Sequence, residues 1–170
     1  MKHQRHEVFG WVIHKGTADA GEQFDIEVRR EAAHHRLSAQ TLYTKGRITG
    51  HQDGDSNTPA ATRVVGFGND MLPNPVPSVT MKMTVQEDAE WWCVSVPSNK
   101  SLPAVEYIRL QPGESMPVAN GNLIFVCSGS ASFSGNNVDS PVAVRVSNAS
   151  DLLAVDAPVY AMRFDRENVA

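Results

Sequence analysis

All six histidines of the chain, His3, His6, His14, His34, His35 and His51, fall in its first third, and imidazole is the commonest metal ligand among side chains. No pair has the i, i+4 spacing that sets two imidazoles on one helical face. In a strand, His34 and His35 would point to opposite faces. The expectation is scattered surface and loop histidines and no metal site. Asp53-Gly-Asp-Ser-Asn57 opens like a calcium loop, with oxygen donors at alternate positions. Thr58 then stands where the turn needs Gly, and Val64 where it needs a bidentate Glu, so the segment reads as a polar loop.

Nucleophile chemistry finds no better footing. Cys127 and Ser128 follow an apolar run without a neighbouring base or a G-x-S-x-G elbow. Gly66-Phe-Gly68 lacks the third glycine and the following helix of a dinucleotide site. Glu87, Asp88 and Glu90 precede Trp91-Trp92, and carboxylates beside aromatics can describe a sugar cleft. A solvated turn is the simpler reading. Trp91 and Trp92 take opposite faces of a strand, so at most one is expected to join a core, and the other becomes an interface or sugar-platform candidate. Asn148-Ala-Ser150 matches a glycosylation sequon by pattern alone. Neither a catalytic residue nor a cofactor-binding residue is assigned.

The elements that would position such groups read almost entirely as strands. Val8 to His14 is apolar and β-branched, and Phe24 to Arg29 alternates with a period of two. Arg30 to Gln40 is the one cluster of helix formers, so at most one short helix is expected, and this is its place. Strand chemistry returns at Leu42 to Thr49 and Thr62 to Gly68. Leu72-Pro-Asn-Pro-Val-Pro-Ser78 has prolines at alternate positions, which cannot donate to a ladder and favour an extended arm. Beyond it Val79, Met81, Met83 and Val85 alternate with polar residues, and further strands are expected at 90–96, 104–111, 141–147 and 158–164. Turn residues between strands at this spacing mark an all-β sandwich or barrel. The division expected is an amino-terminal β-rich segment 1–71, the arm 72–78 and a core segment 79–170, folded together as one compact domain.

The organising stretch is Arg109 to Gly129, where Pro112-Gly113 makes a turn and Leu123 to Cys127 reads as a strand buried on both faces. On these residues the chain resembles the cupin superfamily, whose first conserved stretch opens with Pro-Gly and reaches a strand ending in Gly. The block Asp151-Leu-Leu-Ala-Val-Asp-Ala-Pro158 resembles the late cupin pattern of an acidic turn, an apolar strand and a proline. The resemblance implies a jelly roll. It also implies where a metal would sit, because metal-binding cupins carry His-x-His and then Glu in the first stretch. Here those places hold Ala119, Gly121 and Phe125 or Val126, and Gly129 follows Gly113 by only sixteen residues, short of the family spacing.

Composition bounds the rest. At 170 residues the chain can bury roughly two thirds of its unfolded surface without a disulfide or metal. A net charge of −4 disfavours nucleic-acid binding, and no stretch reaches the about eighteen apolar residues of a membrane span. Cys93 and Cys127 form no C-x-x-C pair and read as reduced, which suits synthesis in a cytoplasm. The first functional expectation is a non-enzymatic assembly module, a homo-oligomer within a larger assembly such as a virion's capsid decoration or tail. Leu72, Pro73, Pro75, Val76 and Pro77, with Trp91 or Trp92, are its contact candidates. The alternative is a small-molecule or sugar-binding cupin, or a cupin enzyme, whose concave face carries other residues in place of the ligands.

Overall fold

The computed structural model describes residues 1–31, 36–37, 39–52, 62–65, 78–95, 105–165 and 167, and among them every regular element is a strand. The chain divides into two units. One comprises Met1–His6 and Val12–Leu102, the other Glu7–Trp11 and Pro103–Ala170.

The strands of the first part are β1 (Lys2–Val8), β2 (Trp11–Ala18), β3 (Gln23–Glu31), β4 (Arg36–Leu37), β5 (Ala39–Gln52), β6 (Thr62–Val65) and β7 (Ser78–Ser95). β7 is the spine. β5 runs antiparallel along one of its edges from Ala39↔Ser95 to Gln52↔Met81, while β2 and β3 share the other edge end to end. The β5 register slips between Tyr43 and Ile48, where Gly46 has φ +75 and passes so close to Asp88 that a Cβ would lie 2.2 Å from its carbonyl oxygen. A bulge of this kind needs glycine.

Arg30–Gln40, the one place open to a short helix, carries none in its described residues. Arg30 pairs with Leu37 and Glu31 with Arg36 in a hairpin, and β5 begins at Ala39. A segment this short gains little from helix propensity, whereas ladder bonds to neighbouring strands satisfy its backbone. The strand β7 also lies with the amino-terminal strands, not the carboxy-terminal ones. The contact boundary therefore falls at Leu102 and Pro103, later than the sequence division at 72–78.

The second unit carries β8 (Val105–Leu110), β9 (Ser115–Val118), β10 (Leu123–Ser128), β11 (Ser130–Phe133), β12 (Asn136–Asp139), β13 (Val142–Arg145), β14 (Ser150–Ala154) and β15 (Val159–Phe164). Its pairing is nested. β11 pairs with β12, β10 with β13, β9 with β14 and β8 with β15, as in one long hairpin folded over on itself. The result is two four-stranded antiparallel sheets, β13-β10-β15-β8 and β12-β11-β14-β9, which is the jelly-roll arrangement.

Alternation directs Ile108, Leu110, Val118, Ile124, Val126, Ala131, Leu152, Ala154, Val159 and Ala161 into one core. β10, the strand read as buried on both faces, is buried at every position from Leu123 to Cys127. The Pro112-Gly113 turn closes with Gly113 at φ +85 donating to the Ala154 carbonyl at 2.9 Å. Phe9 meets Phe164 edge to face at 5.9 Å, a contact that joins the Glu7–Trp11 segment to this unit.

Candidate functional site

The inner face of β8 reads Leu110, Ile108, Glu106, and that of β15 reads Val159, Ala161, Arg163; Asp165 follows just past the strand end. At one end of the jelly roll the lining thus changes from apolar to charged. Glu106 and Arg163 are direct cross-strand partners and form an ion pair, with the guanidinium side chain 28% exposed. They border a cavity of about 850 Å³ whose walls include Val118, Asn122, Phe164 and Asp165.

The turn between β9 and β10 forms another side of the cavity. Ala119 donates its backbone N–H to the Asn122 Oδ1 at 2.9 Å, Asn122 returns N–H to the Ala119 carbonyl at 3.1 Å, and Gly121 donates to the Val146 carbonyl at 2.7 Å. This turn contributes Ala119 and Gly121, the two positions where the cupin resemblance would place His-x-His. Phe125 and Val126, the places of its Glu, are buried inside β10.

The residues present do not fit a metal ion. Glu106 is paired with a guanidinium, the Asn122 Oδ1 is committed to its own turn, and among the described residues no imidazole or thiol lines the cavity. Among the described residues no group of three or more His, Cys, Asp or Glu is placed to hold a metal.

The other sequence candidates are dispersed. His34, His35, the Asp53–Asn57 loop, Gly66-Phe-Gly68 and the contact candidates Leu72, Pro73, Pro75, Val76 and Pro77 lie outside the described residues, and His51 is a β5 position. His3 and His6 sit on β1 and His14 on β2. The ring of His3 approaches Trp91 edge-on at 6.4 Å and that of His6 lies 5.3 Å from Trp92. Burial, then Arg5 and His3, hold the His14 imidazole below its ordinary value.

The tryptophans themselves correct an expectation. They take opposite faces of β7, yet both are buried, Trp91 at 8% exposure and Trp92 at 0%. The reason is that apolar and aromatic groups cover both faces of the spine. Trp91 stacks on Phe24 at 5.6 Å, lies over Gly16 and packs with Tyr43, Met83 and Val85. Trp92 lies beneath the Lys15 ammonium, 5.3 Å from the ring centre, beside Leu42, its cross-strand partner. Neither indole is left as an exposed anchor for a partner.

The acidic cluster likewise serves the fold. Glu90 accepts from Lys15 at 2.8 Å and from Thr44 Oγ1 at 2.7 Å, and Asp88 accepts the Ala20 N–H at 3.0 Å. Glu106, Arg163 and Asp165 escaped the sequence reading. Their signal is a charge on the same alternate positions as Ile108 and Leu110, or as Val159 and Ala161.

Nested pairing of eight strands, two four-stranded sheets and an inner face ending in a polar mouth define a cupin-like jelly roll. Solved structures with this fold include an oxalate decarboxylase, matched over 99% of this chain and 73% of that chain with a TM-score of 0.56 at 11% identity. A mutant of the Bacillus subtilis oxalate decarboxylase with a replaced SENS segment matches with a TM-score of 0.55 at 11% identity, covering 99% of this chain and 74% of that one. Its tryptophan-to-tyrosine variant gives 0.54 at 9% identity over the same shares. At the level of sequence, no protein-family model and no curated protein matches the chain.

Proposed function

We propose that the carboxy-terminal unit binds a small molecule in the mouth of its jelly roll. The observation that carries this is the inward-facing Glu106–Arg163 pair at the edge of a cavity of about 850 Å³. The pair sits at the rim, with Glu106 51% exposed, so it contributes little to stability and stands open to a ligand; ligand sites are concave, largely apolar and fixed by a few such polar groups. A mouth of this kind is where small β-barrels hold their ligands. The structural neighbours are enzymes named for a small-molecule substrate, which favours this reading over an assembly role whose aromatic anchor is buried.

The test is a fragment screen on the full chain read by amide NMR shifts. Ala119, Gly121, Asn122 and Phe164 are expected to move together with at least one fragment. Ala119→Trp, which fills the mouth from an exposed turn position, is expected to abolish the response. A screen in which no fragment moves these amides overturns the reading.

A further inference from the structure

The cavity carries three charged side chains, and their order along the wall sets the ligand class. Arg163 lies between two carboxylates in sequence and pairing, with Glu106 its cross-strand partner and Asp165 two residues on, past the strand end, and all three line the cavity. The guanidinium is engaged by Glu106, so the wall presents no unneutralised cation to an incoming anion. The sum over the three groups is one excess negative charge, set beside Val105, Val118 and Phe164. Asn122 already spends its Oδ1 on the Ala119 N–H, which leaves its amide N–H groups and the carboxylate oxygens of Glu106 and Asp165 to meet a ligand.

We propose that the cavity selects a small molecule carrying a protonated amine and rejects small dicarboxylates. This rests on the proposed small-molecule site and specifies its ligand. An ammonium can donate to the Asp165 carboxylate and to Glu106 alongside the Arg163 guanidinium, and charge-assisted hydrogen bonds are the strong ones. Its apolar stem lies against Val118 and Pro117, which form the uncharged side of the mouth. A dicarboxylate would bring two further negative charges against an excess of one, and could reach Arg163 only by displacing Glu106, leaving that carboxylate without its partner.

The experiment titrates the full chain with putrescine, its uncharged counterpart butanediol, and oxalate, following the Ala119, Gly121 and Phe164 amides. Putrescine is expected to bind with the lowest Kd. Asp165→Asn, at an exposed residue outside the core, is expected to weaken it about tenfold by removing one unit charge near the ammonium. Arg163→Gln is expected to tighten it several-fold, since it removes the competing cation; a residue needed only for folding would not improve binding when replaced. Butanediol or oxalate binding as tightly as putrescine overturns the ligand class while leaving the site intact, and so does an Asp165→Asn variant with unchanged putrescine affinity. If none of the three probes moves the amides, the ligand class is overturned, and the fragment screen then decides whether the site falls with it.

Discussion

Gly129 follows β10, and its backbone passes closer to the rest of the jelly roll than any side chain tolerates. Its φ is +90, and a Cβ built there would lie 2.3 Å from the Pro158 carbonyl oxygen and 3.2 Å from the Val159 Cα. Gly113 and Gly121 have nearly the same φ, +85 and +88, with nothing within 4 Å of an added methyl. The three glycines thus separate two costs. Alanine at Gly113 or Gly121 bears only the left-handed conformation, about 1–2 kcal/mol. Alanine at Gly129 bears that and must also push the β14–β15 turn back by about 1 Å to reach ordinary contact, which adds about 1–3 kcal/mol. Gly129→Ala is therefore expected to destabilise the second unit by about 3 kcal/mol against about 1 kcal/mol for Gly113→Ala. Because the chain has two units, the readout is amide exchange at Ile124 and Val126, core residues of the second, supported by urea unfolding followed by circular dichroism. A Gly129→Ala protein within about 0.5 kcal/mol of Gly113→Ala would refute the close approach and the strand pairing that produces it.

Two further outcomes concern the first unit. Burial raises the Glu90 carboxyl, but hydrogen bonds and charge from Lys15, with Thr44, outweigh it and hold Glu90 below its ordinary value. A depressed carboxylate contributes stability that is present above its unfolded value of about 4.3 and lost as pH falls through the lower folded value. Lys15→Met removes the leading lowering contribution and leaves only Thr44 and Trp92 to oppose burial, so the variant is expected to be less stable at neutral pH and to show a smaller acid-side loss. Urea midpoints at neutral pH and near pH 3 measure both effects, and parallel pH curves for the two proteins would contradict the assignment. Burial pushes the Cys93 thiol up to about 11, so the folded chain is expected to resist a maleimide at pH 8 at this residue and to react there once unfolded, as read by mass spectrometry.

Much of the jelly roll was legible because its strands obey one rule at a time. Leu123 to Cys127 is uniformly apolar and occupies a central position between β13 and β15, and Pro112-Gly113 makes the turn its residue types demand. The rule failed where two influences competed. Helix formers at Arg30–Gln40 gave way to cross-strand pairing, and Trp91-Trp92 alternated as expected while groups covering both faces of β7 buried both. Alternation says which residues share a face; it is silent on whether that face meets solvent. Nor does local pattern reveal that β7 pairs with β2, whose Ala18 lies opposite Ala89, which is why the contact boundary lies at Leu102 and not at the prolines.

The candidate site was hidden for a related reason. In Val105-Glu-Tyr-Ile-Arg-Leu110 the odd positions offer Val and Tyr and the even positions Ile and Leu, so the sequence leaves open which set faces inward. Pairing with β15 decides it, because Ile108 lies opposite Ala161 and Glu106 opposite Arg163. Only with that register does Glu106 become an inward-facing carboxylate and Arg163 its partner, at the same end as Ala119 and Gly121. The two residue sets carry different chemistry to one place. Where the cupin resemblance locates a metal, this turn supplies small residues that leave room, and the opposite wall supplies a charged pair that a metal ion would not match. The space survives without the ligand set, and its polarity comes from β8 and β15 instead. A function for this mouth therefore has to be sought in the molecules that Glu106, Arg163 and Asp165 can recognise.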